Sequence, residues 1–127
     1  MIKTIIFDLD FTLMDWEDEY IFAITNVINK LNLGYSKEKI KEIDDVLATY
    51  EKEYTMYEND KFCEFLNRKC NVNLPLEFVD MLIEEQTKCY REFTKSEIET
   101  LEYLSSKYEL VVLSNWFTYT QKKRLEN

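Results

Sequence analysis

The chain has 127 residues, of which 46% are apolar, with nine tyrosines and eight phenylalanines. That is enough to fill the core of one domain, and it excludes a disordered chain. A net charge of −9 argues against nucleic acid and acidic membrane surfaces as partners, although one local site can differ in sign from the whole.

The predicted elements alternate little. Residues 3–9, KTIIFDL, are short, β-branched and apolar, and read as a buried strand. From Trp16 the period becomes helical, with Tyr20, Ile24, Val27, Ile28 and Leu31 on one face, Asp15 as N-cap and Gly34 as the stop. Ser36 opens a second helix whose apolar stripe runs through Ile40, Ile43, Leu47, Tyr50, Tyr54 and Tyr57. A third starts near Asn59 or Asp60 and carries Phe62, Phe65, Leu66 and Cys70. The NVNLP segment breaks the pattern, and Pro75 suits the first turn of a fourth helix carrying Phe78, Val79, Leu82, Gln86, Cys89, Tyr90 and Phe93. Ser96 and Glu99 are spaced as a capping box for a fifth, with Ile98, Leu101 and Leu104 inward. ELVVL at 109–113 is the other strand, and Ser114 and Asn115 are placed to cap a last helix from about Trp116 to Arg124, with Lys122, Lys123 and Arg124 at its C-terminal end. One glycine and one proline suit so helical a chain.

Neither strand alternates polar and apolar, so both are expected to be buried on two faces as parallel neighbours. Two strands are too few for a stable sheet of that kind, so the core is expected to need more chain than residues 1–127 supply, with self-association of this segment as the consequence. Cys63, Cys70 and Cys89, an odd number without a CxxC, read as reduced packing thiols in a cytoplasmic protein. No stretch reads as a signal peptide or membrane span.

The chemistry is concentrated in IIFDLDFTLMD, residues 5–15. If the strand continues through them, Asp8, Asp10 and Thr12 share a face at its C-terminal end, where open α/β sheets bind ligands. Two close carboxylates favour a divalent cation or a shared proton, and one can attack phosphorus while the other moves protons. With no histidine in the chain, acid–base work falls to carboxylates, Lys, Tyr or Cys. Asp8, Asp10, Thr12 and Glu19 also fit positions 1, 3, 5 and 12 of a calcium loop, but Leu13 stands where that loop needs Gly, and a strand precedes it. The simplest alternative is a strand running into a turn, with Asp15 capping a helix. Ser114 and Asn115 suit plain helix capping as well as an anion site. The tyrosine stripe reads as packing, with stacking on a base as the other use.

The stretch IIFDLDFTL resembles motif I of the haloacid dehalogenase superfamily, an apolar strand ending in DxDxT, and LVVLSN resembles its motif II. The intervening helices look like the cap that many members insert after motif I, and the tail SNWFTYTQKKRLEN is similar to the nucleotidase-like branch. The resemblance implies an α/β fold: a partial Rossmann-like parallel sheet core from residues 1–14 and 94–127, with an inserted four-helix cap at 15–93. It makes Asp8 the nucleophile and a metal ligand. Asp10 becomes the general acid–base residue, with its backbone carbonyl as the second ligand of Mg²⁺. Thr12 supports the motif I loop and stands with the phosphate-binding group, where the Ser114 hydroxyl and the Asn115 backbone N–H hold the transferring phosphoryl oxygens. Phe11 replaces the usual glycine, which restricts the backbone and partly fills the mouth.

The expected function is therefore a Mg²⁺-dependent phosphatase acting on a small phosphorylated metabolite, with a nucleoside monophosphate as one candidate. The motif III lysine and motif IV acids would lie beyond Asn127, and Lys3 is the basic residue expected nearest motif I, so the segment alone is expected to be inactive. The alternative of another class is a non-catalytic remnant whose helical part serves in binding or assembly.

Overall fold

The computed structural model describes residues 1–15 and 17–127, excepting the side chains of residues 17–19. The elements run β1 (Thr4–Phe7), α1 (Glu17–Lys30), α2 (Lys37–Leu47), α3 (Asn59–Cys70), α4 (Glu77–Gln86), α5 (Lys95–Ser105), β2 (Glu109–Val112) and α6 (Thr118–Glu126). The chain divides into two compact units, one of residues 1–16 and 90–115 and one of residues 17–89 and 116–127.

In the first unit β1 and β2 pair in parallel, with Thr4 opposite Glu109 and Phe7 opposite Val112. The ladder extends one step past the strands, where the Leu113 N–H donates to the Phe7 carbonyl at 2.8 Å. The parallel pairing expected for two uniformly apolar strands is present. Burial on both faces is not, because Ile6 and Leu113 are 61% and 68% exposed and α5 packs beside β2 without burying any of its own residues. Ile98, expected inward, is exposed, and Leu101 and Leu104 are half-buried. The α5 cap also differs from expectation. Thr94 and Glu97 form the capping box, two residues before Ser96 and Glu99. Thr94 wins because its backbone is extended, as an N-cap requires, whereas Ser96 already lies in the helix.

The second unit is a helical bundle whose core is the apolar face of each helix. α1 packs on α2 and α4, and α3 packs on the same two. Tyr20, Ile24, Val27, Ile43, Phe62, Phe65, Phe78 and Val79 are all buried there. α1 ends at Lys30, and the left-handed residue nearest its end is Asn32 (φ 52°), two positions before Gly34 (φ 67°), so Asn takes the stop expected of Gly. Asn71 does the same for α3. The expected Asp15 cap abuts residue 16, which lies outside the described residues.

The tyrosine stripe is not carried by one helix. α2 ends at Leu47, Tyr50 begins a short 3₁₀ turn, and Tyr54 and Tyr57 lie in the connection to α3. Tyr50 nonetheless is fully buried and stacks on Tyr54 at 4.6 Å, with Tyr57, Phe62 and Phe65 around it. Likewise α4 ends at Gln86, so Cys89, Tyr90 and Phe93 follow it in irregular chain. The three cysteines are buried thiols, and burial pushes Cys70 up to about 11.

The largest departure is at the end. Residues 116–127 pack with the helices rather than with the strands, so the helical unit contains α1–α4 and α6 and is built from two stretches, in place of a four-helix insert confined to 15–93. Residues 90–93 go the other way, into the strand unit. The reason is polar as much as apolar. The Thr120 hydroxyl donates to the Ile83 carbonyl at 3.0 Å, Trp116 Nε1 to Gln86 Oε1 at 2.9 Å, and the buried Arg124 Nε to the Cys89 carbonyl at 2.6 Å. Arg124, which the sequence offers as a cation suited to the helix dipole, is a buried core residue.

Glu85 also belongs to this unit and is almost fully buried. Lys30 pairs with it, Lys88 donates to it at 3.0 Å and Asn26 at 3.5 Å. The Lys30 hydrogen bond, working against burial, holds the Glu85 carboxyl down at about 2, with Lys88 and Asn26 adding to it. A depressed folded-state value contributes stability above the unfolded value of about 4.3, which is lost as pH falls toward the folded one. Chemical unfolding followed from pH 5 to pH 2 should therefore show a loss of stability that is distinctly smaller in Glu85→Gln.

Candidate functional site

The turn after β1 carries the acidic residues. β1 stops at Phe7, so Asp8, Asp10 and Thr12 do not continue one strand face as the alternation implied. Residues 9–14 fold back instead. The Leu9 carbonyl accepts from the N–H groups of Leu13 and Met14 at 2.9 Å and of Thr12 at 3.4 Å, while the Phe11 N–H donates to the Met14 carbonyl at 2.7 Å. Asp10 and Met14 form an isolated bridge across the turn. Leu9 is fully buried, which leaves Asp8 exposed on one side of it and Asp10 half-buried on the other.

Phe11 sits at φ 60° in the left-handed region, and its side chain is 64% exposed. A Cβ makes that region unfavourable by roughly 1–2 kcal/mol, so the position asks for glycine and holds phenylalanine. Phe11→Gly should stabilise the chain by about 0.5–1 kcal/mol, because relief of the turn exceeds the entropy glycine adds to the unfolded state. Urea unfolding of the two proteins checks this.

Asp8, Ser114 and Asn115, three of the residues singled out from sequence, line one open depression of about 530 Å³ together with Ile6 and Leu113. It lies at the C-terminal ends of two paired parallel strands, the position where such sheets bind ligands. One oxygen of Asp8, Oδ1, accepts from the Leu9 N–H at 2.8 Å, which orients the carboxylate. Asp10 is not among the residues lining the depression, and Thr12 lines a different cavity, of about 220 Å³, with Phe7, Leu13 and residues of α5. Thr12 thus lies apart from the depression that Asp8, Ser114 and Asn115 line.

Ser114 and Asn115 do not cap α6. That helix starts at Thr118, its N-cap is Phe117, and no side chain caps it. The anion-binding argument for Ser114 therefore rests on its place at the strand end and not on a helix dipole. The calcium-loop alternative depended on Glu19, whose side chain lies outside the described residues.

One residue at the turn was invisible to sequence reasoning. Arg91 Nη2 donates to the Leu13 carbonyl at 3.2 Å, and the guanidinium forks onto both carboxylate oxygens of Glu97 at 3.0 and 2.8 Å. Arg91 is thus a cation at the 9–14 turn, where sequence reasoning looked only to Lys3. Arg91 and Leu13 are 78 residues apart along the chain, and no local pattern signals the contact. The capping box is the one partial clue, because it fixes Glu97.

Among the described residues no group of three or more histidine, cysteine, aspartate or glutamate side chains is arranged to hold a metal ion. No helix among them is long and apolar enough to cross a membrane.

No protein-family model matches the chain, and no curated protein matches it by sequence. Among solved structures it is similar to the HAD-hydrolase YfnB from Bacillus subtilis, whose crystal structure is of a magnesium-bound form. The TM-score is 0.73 at 15% identity, over 98% of this chain and 59% of that one. The chain spans about three fifths of the length of that neighbour. Parallel strands followed directly by DLD and LSN, helices between and after them in the chain, and this superposition together give the chain a haloacid dehalogenase-type fold.

Proposed function

We propose that residues 1–127 are the nucleophile-bearing part of a phosphatase of the haloacid dehalogenase type, the two strands being part of a larger parallel core. The observation that carries this reading is the meeting of Asp8, Ser114 and Asn115 on one depression at the ends of paired parallel strands. An Asp8 carboxylate oxygen attacks the phosphorus of a phosphomonoester and the bond to the leaving oxygen breaks. The Asp10 carboxyl donates its proton to that oxygen. In the second half, the Asp10 carboxylate takes a proton from water, the water oxygen attacks phosphorus, and the bond to Asp8 breaks to give inorganic phosphate. The Ser114 hydroxyl and the Asn115 N–H donate to the non-bridging oxygens in both steps.

Mg²⁺ is the metal these donors suit. The Asp8 carboxylate and the Asp10 backbone carbonyl would hold it, a sparse oxygen set of the kind that leaves Mg²⁺ its water and phosphate ligands. When bound, the ion neutralises phosphate charge beside Asp8.

The substrate class proposed is a small phosphorylated metabolite and the compartment the cytoplasm. The segment alone is proposed to turn over poorly, since two carboxylates and a phosphate repel unless enough positive charge meets them. It is also proposed to self-associate through the exposed Ile6, Val111 and Leu113. The test is hydrolysis of p-nitrophenyl phosphate and a panel of phosphomonoesters by the longest natural form containing this chain, with Mg²⁺ or with chelator. Mg²⁺-dependent release of phosphate is expected. Failure with every ester would overturn the phosphatase reading in favour of a binding or assembly role.

A further inference from the structure

We propose that Arg91 is a positioning residue, a tether that holds the 9–14 turn and through it the carboxylate of Asp10. The inference rests on the phosphatase reading for its catalytic consequence, but not for the tether itself.

The turn is closed by its own hydrogen bonds at Leu9 and Met14, as described above, and Asp10 lies between those two points. Leu13 contributes its N–H to that network, while its carbonyl is taken by Arg91 at 3.2 Å. The turn also contains the left-handed Phe11, so it has an internal reason to relax. A tether resists relaxation only if its far end is fixed. Here Glu97 grips the guanidinium at two points and itself accepts from the Thr94 N–H at 2.7 Å and the Thr94 hydroxyl at 2.9 Å. Arg91 is thereby anchored to the N-terminal turn of α5, and the guanidinium also lies 5.5 Å from the Phe93 ring. All of these residues belong to the strand unit. The fork geometry explains why arginine stands here. Lysine has no planar pair of donors to grip a carboxylate while reaching a carbonyl.

Arg91→Met in the 127-residue chain tests the tether by amide hydrogen exchange. The Leu13 and Met14 amides should exchange at least ~10-fold faster, with amides of α2 and α3 unchanged. Unchanged exchange at Leu13 and Met14 would overturn the tether. In the active natural form, Arg91→Met should lower kcat about 10-fold with KM within about twofold, a change that global loosening would not confine to kcat. Arg91→Lys should not restore kcat, and Glu97→Gln should add little to Arg91→Met. Faster exchange with unchanged kcat would overturn the link to Asp10. A wild-type form that hydrolyses no phosphomonoester would sink the phosphatase reading, and with it the catalytic consequence, while the exchange result decides the tether.

Discussion

Asp8→Asn in the active natural form should lower phosphatase turnover by on the order of 10⁴-fold or more, the scale seen when a covalent nucleophile is removed. The amide that replaces the carboxylate cannot form the acyl phosphate, so no compensating route exists within the proposed chemistry. The fold should survive, because Asp8 is exposed and the amide can still accept from the Leu9 N–H through its oxygen. Asp10→Asn should be severe but smaller, ~10²–10⁴-fold, because it removes proton transfer and leaves the nucleophile. A leaving group of low pKa should soften the Asp10 defect and leave the Asp8 defect intact. Steady-state rates with p-nitrophenyl phosphate and an alkyl phosphate check both statements. Near wild-type turnover in Asp8→Asn would end the covalent mechanism.

Arg124→Ala should destabilise the chain by about 3 kcal/mol or more. Two contributions add: the charged hydrogen bond to the buried Cys89 carbonyl, about 1.5–3 kcal/mol, and the cavity left by a large side chain. Gln121, also buried, loses its partner on Arg124 Nη1 at 2.9 Å. Arg124→Met fills most of the space and should recover part of the loss, which separates packing from hydrogen bonding. Lys123→Met, next to it but exposed and paired with Glu126, should change stability by less than about 0.5 kcal/mol. Urea midpoints of the four proteins decide the matter. Equal effects at Arg124 and Lys123 would show that α6 is not anchored as described.

These cases mark what the sequence could and could not reveal. The strands were legible because β-branched apolar runs bounded by polar residues have few other uses, and their parallel pairing followed from the lack of alternation. Asp8 and Ser114 were legible for the same reason, since each sits directly after such a run. Residues 9–14 were misread because period-two alternation assumes an extended backbone, and nothing local announces that Phe11 will turn left-handed. α6 was placed with the strands because it follows β2 directly in the chain, and Lys-Lys-Arg suited a helix dipole without naming a buried partner. Only the partner, the Cys89 carbonyl 35 residues earlier, reveals that one of the three cations is buried. Arg91 was missed on the same ground. Long-range hydrogen bonds to backbone carbonyls carry no residue-type signature at the acceptor.

The helical unit is drawn from two stretches of chain with β2 between them, and this sets an order of events during synthesis. A nascent chain exposes α1 to α4 first, yet the Arg124 hydrogen bond to the Cys89 carbonyl and the packing of α6 on α4 form only once α6 has left the ribosome. β2 emerges before that, so β1 can find its partner while the bundle is still open on one side. The bundle is thus completed only after β2 has been made, although most of its residues precede that strand.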